Sequence, residues 1–216
     1  DIDFVVNTSN GTATEGSGDY VRINDQDFTI LAGTSSVQVE VLVNGDTDVE
    51  TDETFFVELT NQSVGNINKG TGEGTSENDD RHTISIRDEN RTEQDLGPRD
   101  FNFEVRTDGG ENAVEAITFN YSTSDGTATV ADNDYIAQTN ATGTIPAGTD
   151  RVTITIEGVG DTKPELDETF TVVISNSSAN AQINDATAEG IIENDDNASI
   201  SIFDYGAAEG DAGITL

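Results

Sequence analysis

The chain carries the same long passage twice. Residues from Phe4 to Asn61 align without a gap with Phe119 to Asn176, at an offset of 115, and short acidic signatures recur at matched points. The first copy has Asn10-Gly11-Thr12-Ala13-Thr14, Asp19-Tyr20, Gly45-Asp46-Thr47, Asp52-Glu53-Thr54-Phe55 and Glu77-Asn78-Asp79-Asp80. The second has Asp125-Gly126-Thr127-Ala128-Thr129, Asp134-Tyr135, Gly160-Asp161-Thr162, Asp167-Glu168-Thr169-Phe170 and Glu193-Asn194-Asp195-Asp196. A period this long is a whole domain, not one turn of a solenoid. What recurs most faithfully is acidic, so the duplicated unit is a domain together with its carboxylates.

Period-two alternation of β-branched and aromatic residues predicts strands. In the second copy they run through Ile84/Ile86, Phe101/Phe103/Val105, Ile117/Phe119/Tyr121, Val152/Ile154/Ile156, Phe170/Val172/Ile174 and, more weakly, Ala188/Ile191. Val37/Val39/Val41 and Phe55/Val57/Leu59 repeat the pattern in the first copy. Gly, Asn and Asp clusters between them suit turns, and no segment has helical periodicity. The fold class expected is all-β, with antiparallel β-sandwiches in tandem. Residues 1–80 are expected to form a domain lacking its first two strands, because Ile2 and Phe4 correspond to Ile117 and Phe119, and residues 81–196 a complete one. Residues 197–216 would begin a third copy, since Ala198 to Asp204 match His82 to Asp88 and Glu209 matches Glu93. The open first domain is expected to leave Phe4, Val39 and Phe55 incompletely covered, and a neighbouring subunit's tail from Ala198 could complete it head-to-tail.

A net charge of −34 with nine Lys plus Arg opposes compaction, which bound divalent cations would offset. The same charge excludes nucleic acid and anionic membrane surfaces as direct partners, and no apolar run reaches membrane-spanning length. With no Cys, thiolate metal sites and disulfides are excluded. A single histidine, His82, leaves imidazole-based zinc or triad chemistry without its parts, and the sequence reads it as an ordinary surface residue. Without Trp, a sugar platform flanked by paired acids has little to stack on, so an enzyme is not expected. Asn-x-Ser/Thr sequons at Asn7, Asn10, Asn61, Asn90, Asn120, Asn140, Asn176 and Asn197 point towards an exported glycoprotein.

Acids gathered from separate loops repel one another unless a cation lies between them, and calcium takes six to eight such hard oxygens. In the second copy the loops are Asp132 to Tyr135, Asp161 to Glu168 and Glu193 to Asp196, with Glu93 following the first strand.

Taken together, Asp-Gly-Thr-Ala-Thr followed by Asp134-Tyr135, then Pro146-Ala147-Gly148-Thr149 before a strand, Asp167-Glu168-Thr169-Phe170 and the closing Asn194-Asp195-Asp196 resemble the Calx-β domains of sodium/calcium exchangers, an integrin and many bacterial and matrix proteins. The resemblance implies immunoglobulin-like sandwiches whose distal loops bind a small calcium cluster. It implies as second-copy ligands Glu93, Asp134, Asp161, Glu165, Glu168, Asp195 and Asp196, with the backbone carbonyl of Lys163. In the first copy the matching positions are Asp19, Asp46, Glu50, Glu53, Asp79 and Asp80, with the carbonyl of Asp48, and the counterpart of Glu93 is missing. Exchanger domains run three acids together where this chain has Gly160-Asp161-Thr162 and Asn194-Asp195-Asp196, which implies fewer ions or weaker binding.

The function expected is a calcium-binding structural or adhesive repeat of an extracellular or cell-surface array, with calcium stiffening each domain and its junction. The partners expected are neighbouring Calx-β repeats, in cis or head-to-tail in trans, and a cell-surface or matrix ligand. The alternative is a calcium-sensing regulatory module of a membrane transporter.

Overall fold

The computed structural model describes residues 1–206, and they contain thirteen strands and no helix. They are β1 (Ile2–Asn10), β2 (Gln26–Ile30), β3 (Glu53–Thr60), β4 (Thr71–Ser76), β5 (His82–Ile86), β6 (Glu89–Thr92), β7 (Gly97–Thr107), β8 (Ile117–Asp125), β9 (Ala141–Ile145), β10 (Arg151–Gly160), β11 (Glu168–Ser175), β12 (Ala181–Asp185) and β13 (Thr187–Glu193). The fold is all-β, with immunoglobulin-like antiparallel sandwich architecture.

Two sheets face each other across the second copy, in the orders β10-β7-β5-β12 and β6-β13-β11-β8-β9. Alternation decides which side chains enter the space between them: Phe101, Phe103 and Val105 of β7 and Phe170, Val172 and Ile174 of β11 are all at most 1% exposed. Phe170 centres the core. Phe101 and Phe103 meet its ring edge-on at 5.2 and 6.0 Å, and Tyr135 stacks on it at 4.4 Å. Truncating such a ring to alanine costs about 3–5 kcal/mol. The chain crosses between sheets right after β5: Ile84 and Ile86 serve the first sheet, while β6 pairs parallel to β13 in the second. That crossing carries Glu93, the next residue after β6, to the loop end of the sandwich.

The first copy forms a single four-stranded sheet, β2-β1-β3-β4, whose pairings repeat those of β9, β8, β11 and β13. Its Val37 to Val41 segment, expected as a strand, forms none; only an isolated Tyr20–Val43 bridge is made. The physical reason is pairing. The counterpart, β10, bonds to β7 along its whole length, and the described residues hold no equivalent of β7 beside Val37 to Val41. Val39 and Phe4 are half-buried, but Phe55, expected to lack cover, is 5% exposed because Tyr20 stacks on it at 4.9 Å.

Two further expectations need revision. His82 is buried at 5% exposure, with its Nε2 accepting a hydrogen bond from the Val114 N–H at 3.4 Å, so it is no ordinary surface residue. Ala198 to Asp204 form no strand, and Ile200 and Ile202 are 99% and 97% exposed where their matches Ile84 and Ile86 are 0% and 3%. Glu209 lies outside the described residues. Strands β2, β4, β6, β9 and β12 were not foreseen, and β4, β6, β9 and β12 lack clear apolar alternation.

Candidate metal centre

The recurring motifs hold the loops in place before they offer ligands. After β8, Gly126 passes so close to β11 that a Cβ there would lie 2.3 Å from the Thr169 carbonyl oxygen; at Gly11 the same approach is made to Thr54. Beside it, Thr127 Oγ1 accepts from the Thr169 N–H at 2.8 Å, and the Ala128 N–H donates back to the Thr169 carbonyl at 2.9 Å. Ala128 is fully buried, so only a small side chain fits. Thr129 then donates its N–H to Asp134 Oδ2 at 2.6 Å, and the Tyr135 hydroxyl donates to Asp125 Oδ1 at 2.6 Å. The first copy repeats these contacts, with Thr12, Ala13, Asp19 and Tyr20 on Thr54, Thr14 and Asn10. Buried tyrosine and glycine-tight turn together fix one carboxylate, Asp134 or Asp19, at the loop end.

The remaining loops are tied by an amide. Asn194 Oδ1 accepts from the Glu165 N–H at 3.2 Å, its Nδ2 donates to the Asp196 carbonyl at 2.9 Å, and its own N–H donates to Asp167 Oδ1 at 3.1 Å. Asn78 makes the same three contacts with Glu50, Asp80 and Asp52. Gly160 supplies the last constraint, since a Cβ there would lie 2.0 Å from the Gln94 carbonyl oxygen and 2.6 Å from that of Glu93. Its counterpart Gly45 has nothing within 4 Å, in keeping with the missing Glu93 equivalent.

These constraints gather the second-copy acids into two groups. Carboxylate oxygens of Glu93, Asp195 and Asp196 lie within 4.8 Å of one another, as do those of Asp134, Glu165 and Glu168. Asp161 belongs to neither triad; its Oδ1 accepts from the Lys163 N–H at 2.7 Å, and its charge bears on Glu93 and Asp196. The Lys163 side chain is ion-paired with Glu165. In the first copy Asp19, Asp46, Asp48, Glu50, Glu53, Asp79 and Asp80 all line one small cavity of about 50 Å³. Every acid singled out in the sequence thus stands at one of these two loop ends. Sequence reasoning missed the ties Asn78 and Asn194, Asp52 and Asp167, and the close approach at Gly160, although all five stand inside the recurring motifs. It also missed Asp95, which after burial contributes most to raising the pKa of Asp196 and which no motif marks.

The electrostatics expose what the groups lack. Burial, then Asp161, Asp196, Glu165 and Asp195, pushes Glu93 up to about 7. Burial, then Asp134 and Glu165, does the same to Glu168, against the pull of Lys163. Burial and neighbouring acids also raise Glu50 and Glu53 in the first copy. Glu93 Oε1 and Asp196 Oδ2 are buried with no hydrogen-bond partner. Buried carboxylate oxygens without donors are costly, and a hard cation among them would satisfy them. The donor set is all oxygen, with neither Cys nor His among it, which fits calcium and not zinc.

The Calx-beta domain family profile matches residues 2–90 and 77–204. The chain belongs to the Calx-beta family. Calx-beta domains are calcium-binding modules and not enzymes. Among solved structures, the apo-form Calx CBD1 domain is 22% identical, covering 54% of this chain and 100% of its own, at a TM-score of 0.43. CBD12 from CALX1.2 is 17% identical over 89% of this chain and 87% of its own, at 0.41, and the calcium binding domain CBD12 of CALX1.1 is 18% identical over 88% and 86%, at 0.42. No curated protein matches significantly. The two profile matches place Calx-beta repeats next to each other along this chain. The extracellular or cell-surface location expected from the sequence is corrected by the comparisons, whose solved-structure matches include calcium binding domains of Calx and lend secretion no support.

Proposed function

We propose that this chain is a calcium-sensing regulatory module of a membrane transporter, in which tandem Calx-beta domains hold calcium at their loop ends. The observation that carries the calcium reading is the pair of buried, donorless oxygens, Glu93 Oε1 and Asp196 Oδ2, within a triad of acids. Glu93, Asp195 and Asp196 would hold one ion, Asp134, Glu165 and Glu168 a second, and the seven acids of the first copy a further group. When bound, calcium supplies positive charge that offsets the burial and the mutual repulsion that raise Glu93 and Glu168. The chain's own residues do the rest: Asn194 keeps the two loops at a fixed separation, Gly160 holds Glu93 against β10, and Asp134 is locked by Thr129.

The regulatory reading is supported by the junction. A cleft of about 600 Å³ is lined by Glu50, Asp79 and Asp80 from the first copy's acidic loops and by His82, Glu115 and Asn180 from the second copy. A change of charge on Asp79 and Asp80 is therefore felt where the two domains meet, and would alter the angle between them. The adhesive reading has no such observation behind it.

Calorimetric titration and thermal melting of the chain test the proposal. Calcium should raise the melting temperature well above that in chelator, because an ion that binds only the folded state stabilises it by mass action. Magnesium should substitute poorly, as it demands tighter octahedral geometry. Changing Asp195 and Asp196 together to Asn should abolish most of the shift in the second domain. Equal melting in calcium and chelator would refute calcium binding; calcium binding without any change in solution scattering would refute the regulatory hinge.

A further inference from the structure

The two carboxylate triads of the second domain differ in one respect that the sequence alone does not show. Among the described residues Glu93, Asp195 and Asp196 have no basic side chain paired with them, and two of their buried oxygens stand without donors. The triad of Asp134, Glu165 and Glu168 already has a cation, the Lys163 ammonium, paired with Glu165. Lys163 is 65% exposed on its side chain while Glu165 is 17% exposed, so the lysine reaches in from solvent over a carboxylate held inside. Its backbone is fixed for this, since its N–H donates to Asp161 Oδ1. Glu165 first, then Asp132 and Asp161, all raise the pKa of Lys163. Only two lysines, Lys69 and Lys163, occur in the chain, and the first copy has Asp48 where the second has Lys163. There the backbone geometry is the same, with the Asp48 N–H donating to Asp46 Oδ1 at 2.8 Å, but the side chain adds a negative charge.

Resting on the calcium reading above, we infer that Lys163 is a tethered competitor of calcium: its ammonium occupies the Asp134, Glu165 and Glu168 triad and gives that position a higher calcium threshold than the Glu93, Asp195 and Asp196 triad. A flexible ammonium is a compact point charge that can swing away when a divalent ion arrives, so it raises the threshold without blocking the site. The second domain therefore fills in two stages. The first copy has an acid in place of the lysine, so its group lacks this brake.

The test is calorimetric titration of calcium chloride into the whole chain, comparing Lys163→Gln with Lys69→Gln, a substitution of identical charge change at a residue outside both loop ends. Lys163→Gln should tighten the weakest class of sites by about tenfold, the scale of one like charge near a partly exposed site, and Lys69→Gln should not. Lys163→Arg, which keeps the charge, should titrate like the parent chain, and Lys163→Asp should tighten binding further. Adding Glu168→Gln to Lys163→Gln should erase the gain, which assigns it to this triad. Melting in calcium monitors that each variant is folded. Equal titrations for Lys163→Gln and Lys69→Gln, or a gain that survives Glu168→Gln, would overturn the competitor. If the parent chain shows no calcium binding at all, the calcium reading fails and this inference with it.

Discussion

Replacing Gly160 with alanine should damage the calcium centre from outside it, while the same change at Gly45 should do nothing harmful. A Cβ at Gly160 would lie 2.0 Å from the Gln94 carbonyl oxygen and 2.6 Å from the Glu93 carbonyl oxygen, both backbone atoms that cannot rotate away. Neither glycine has positive φ, so backbone strain does not enter and the contrast is purely steric. Separating the segments by the ångström or more that a real contact requires costs about 1–3 kcal/mol, as for overpacking elsewhere. At roughly 4 °C per kcal/mol for a domain of about a hundred residues, the second-domain transition should fall by roughly 4–12 °C in chelator. The displaced segment carries Glu93, so calcium should restore less of the loss than it restores in the parent chain. Gly45→Ala meets nothing within 4 Å and, by narrowing the unfolded ensemble, should be neutral or stabilising by up to about 1 kcal/mol. Differential scanning calorimetry in calcium and in chelator separates the outcomes. If the two variants behave alike, or if Gly160→Ala keeps the full calcium-dependent shift, the claim that this glycine positions Glu93 is wrong.

Acidity should act oppositely on the metal-free and calcium-loaded chain. Glu93 and Glu168 both sit at about 7 in the fold against an ordinary 4.5, so their contribution to stability is fully present below about pH 4.5 and is lost as pH rises towards 7. In chelator the second domain should melt higher at pH 5.5 than at pH 7.5, and a lower melting point at pH 5.5 would contradict the crowding of these acids. The calcium-dependent gain should shrink over the same acidification, because the ligands must be deprotonated to bind. Asn194→Ala removes no carboxylate but cuts the two side-chain ties, to the Glu165 N–H and the Asp196 carbonyl, while leaving the backbone bond to Asp167; calcium binding should weaken several-fold, and an unchanged titration would remove Asn194 from the positioning role.

The all-β class and the sandwich core were legible because alternation in Phe101/Phe103/Val105 and Phe170/Val172/Ile174 reports directly which side faces the opposite sheet. The clustering of acids was legible for another reason: carboxylates that recur at fixed places in two copies are retained against the repulsion they cause. Three kinds of feature were not readable. Strands β6 and β12 are held by parallel pairing to β13 and β5, a long-range fact with no local apolar signature. The failure of Val37 to Val41 to form a strand depends on a partner, since the residues themselves have strong β-propensity. The burial of His82 follows from the turn of Val114 against it, more than thirty positions away along the chain.

The motifs also divide labour in a way that ligand-matching obscures. In Asp-Gly-Thr-Ala-Thr none of the five residues is a candidate ligand; they exist to press one loop onto Thr169 so that Asp134 can be aimed. Asn194 stands where a third acid would add charge, yet its amide donates and accepts at once, which a carboxylate could not do, and so it joins two acidic loops that would otherwise drift apart. The acids are thus held in place by neutral groups. Burial and then mutual repulsion raise Glu93 and Glu168, so on the calcium reading proposed above the second domain's response would be concentrated at the loop end, and through the equivalent residues Asp79 and Asp80 the first domain's response would fall where it meets its neighbour.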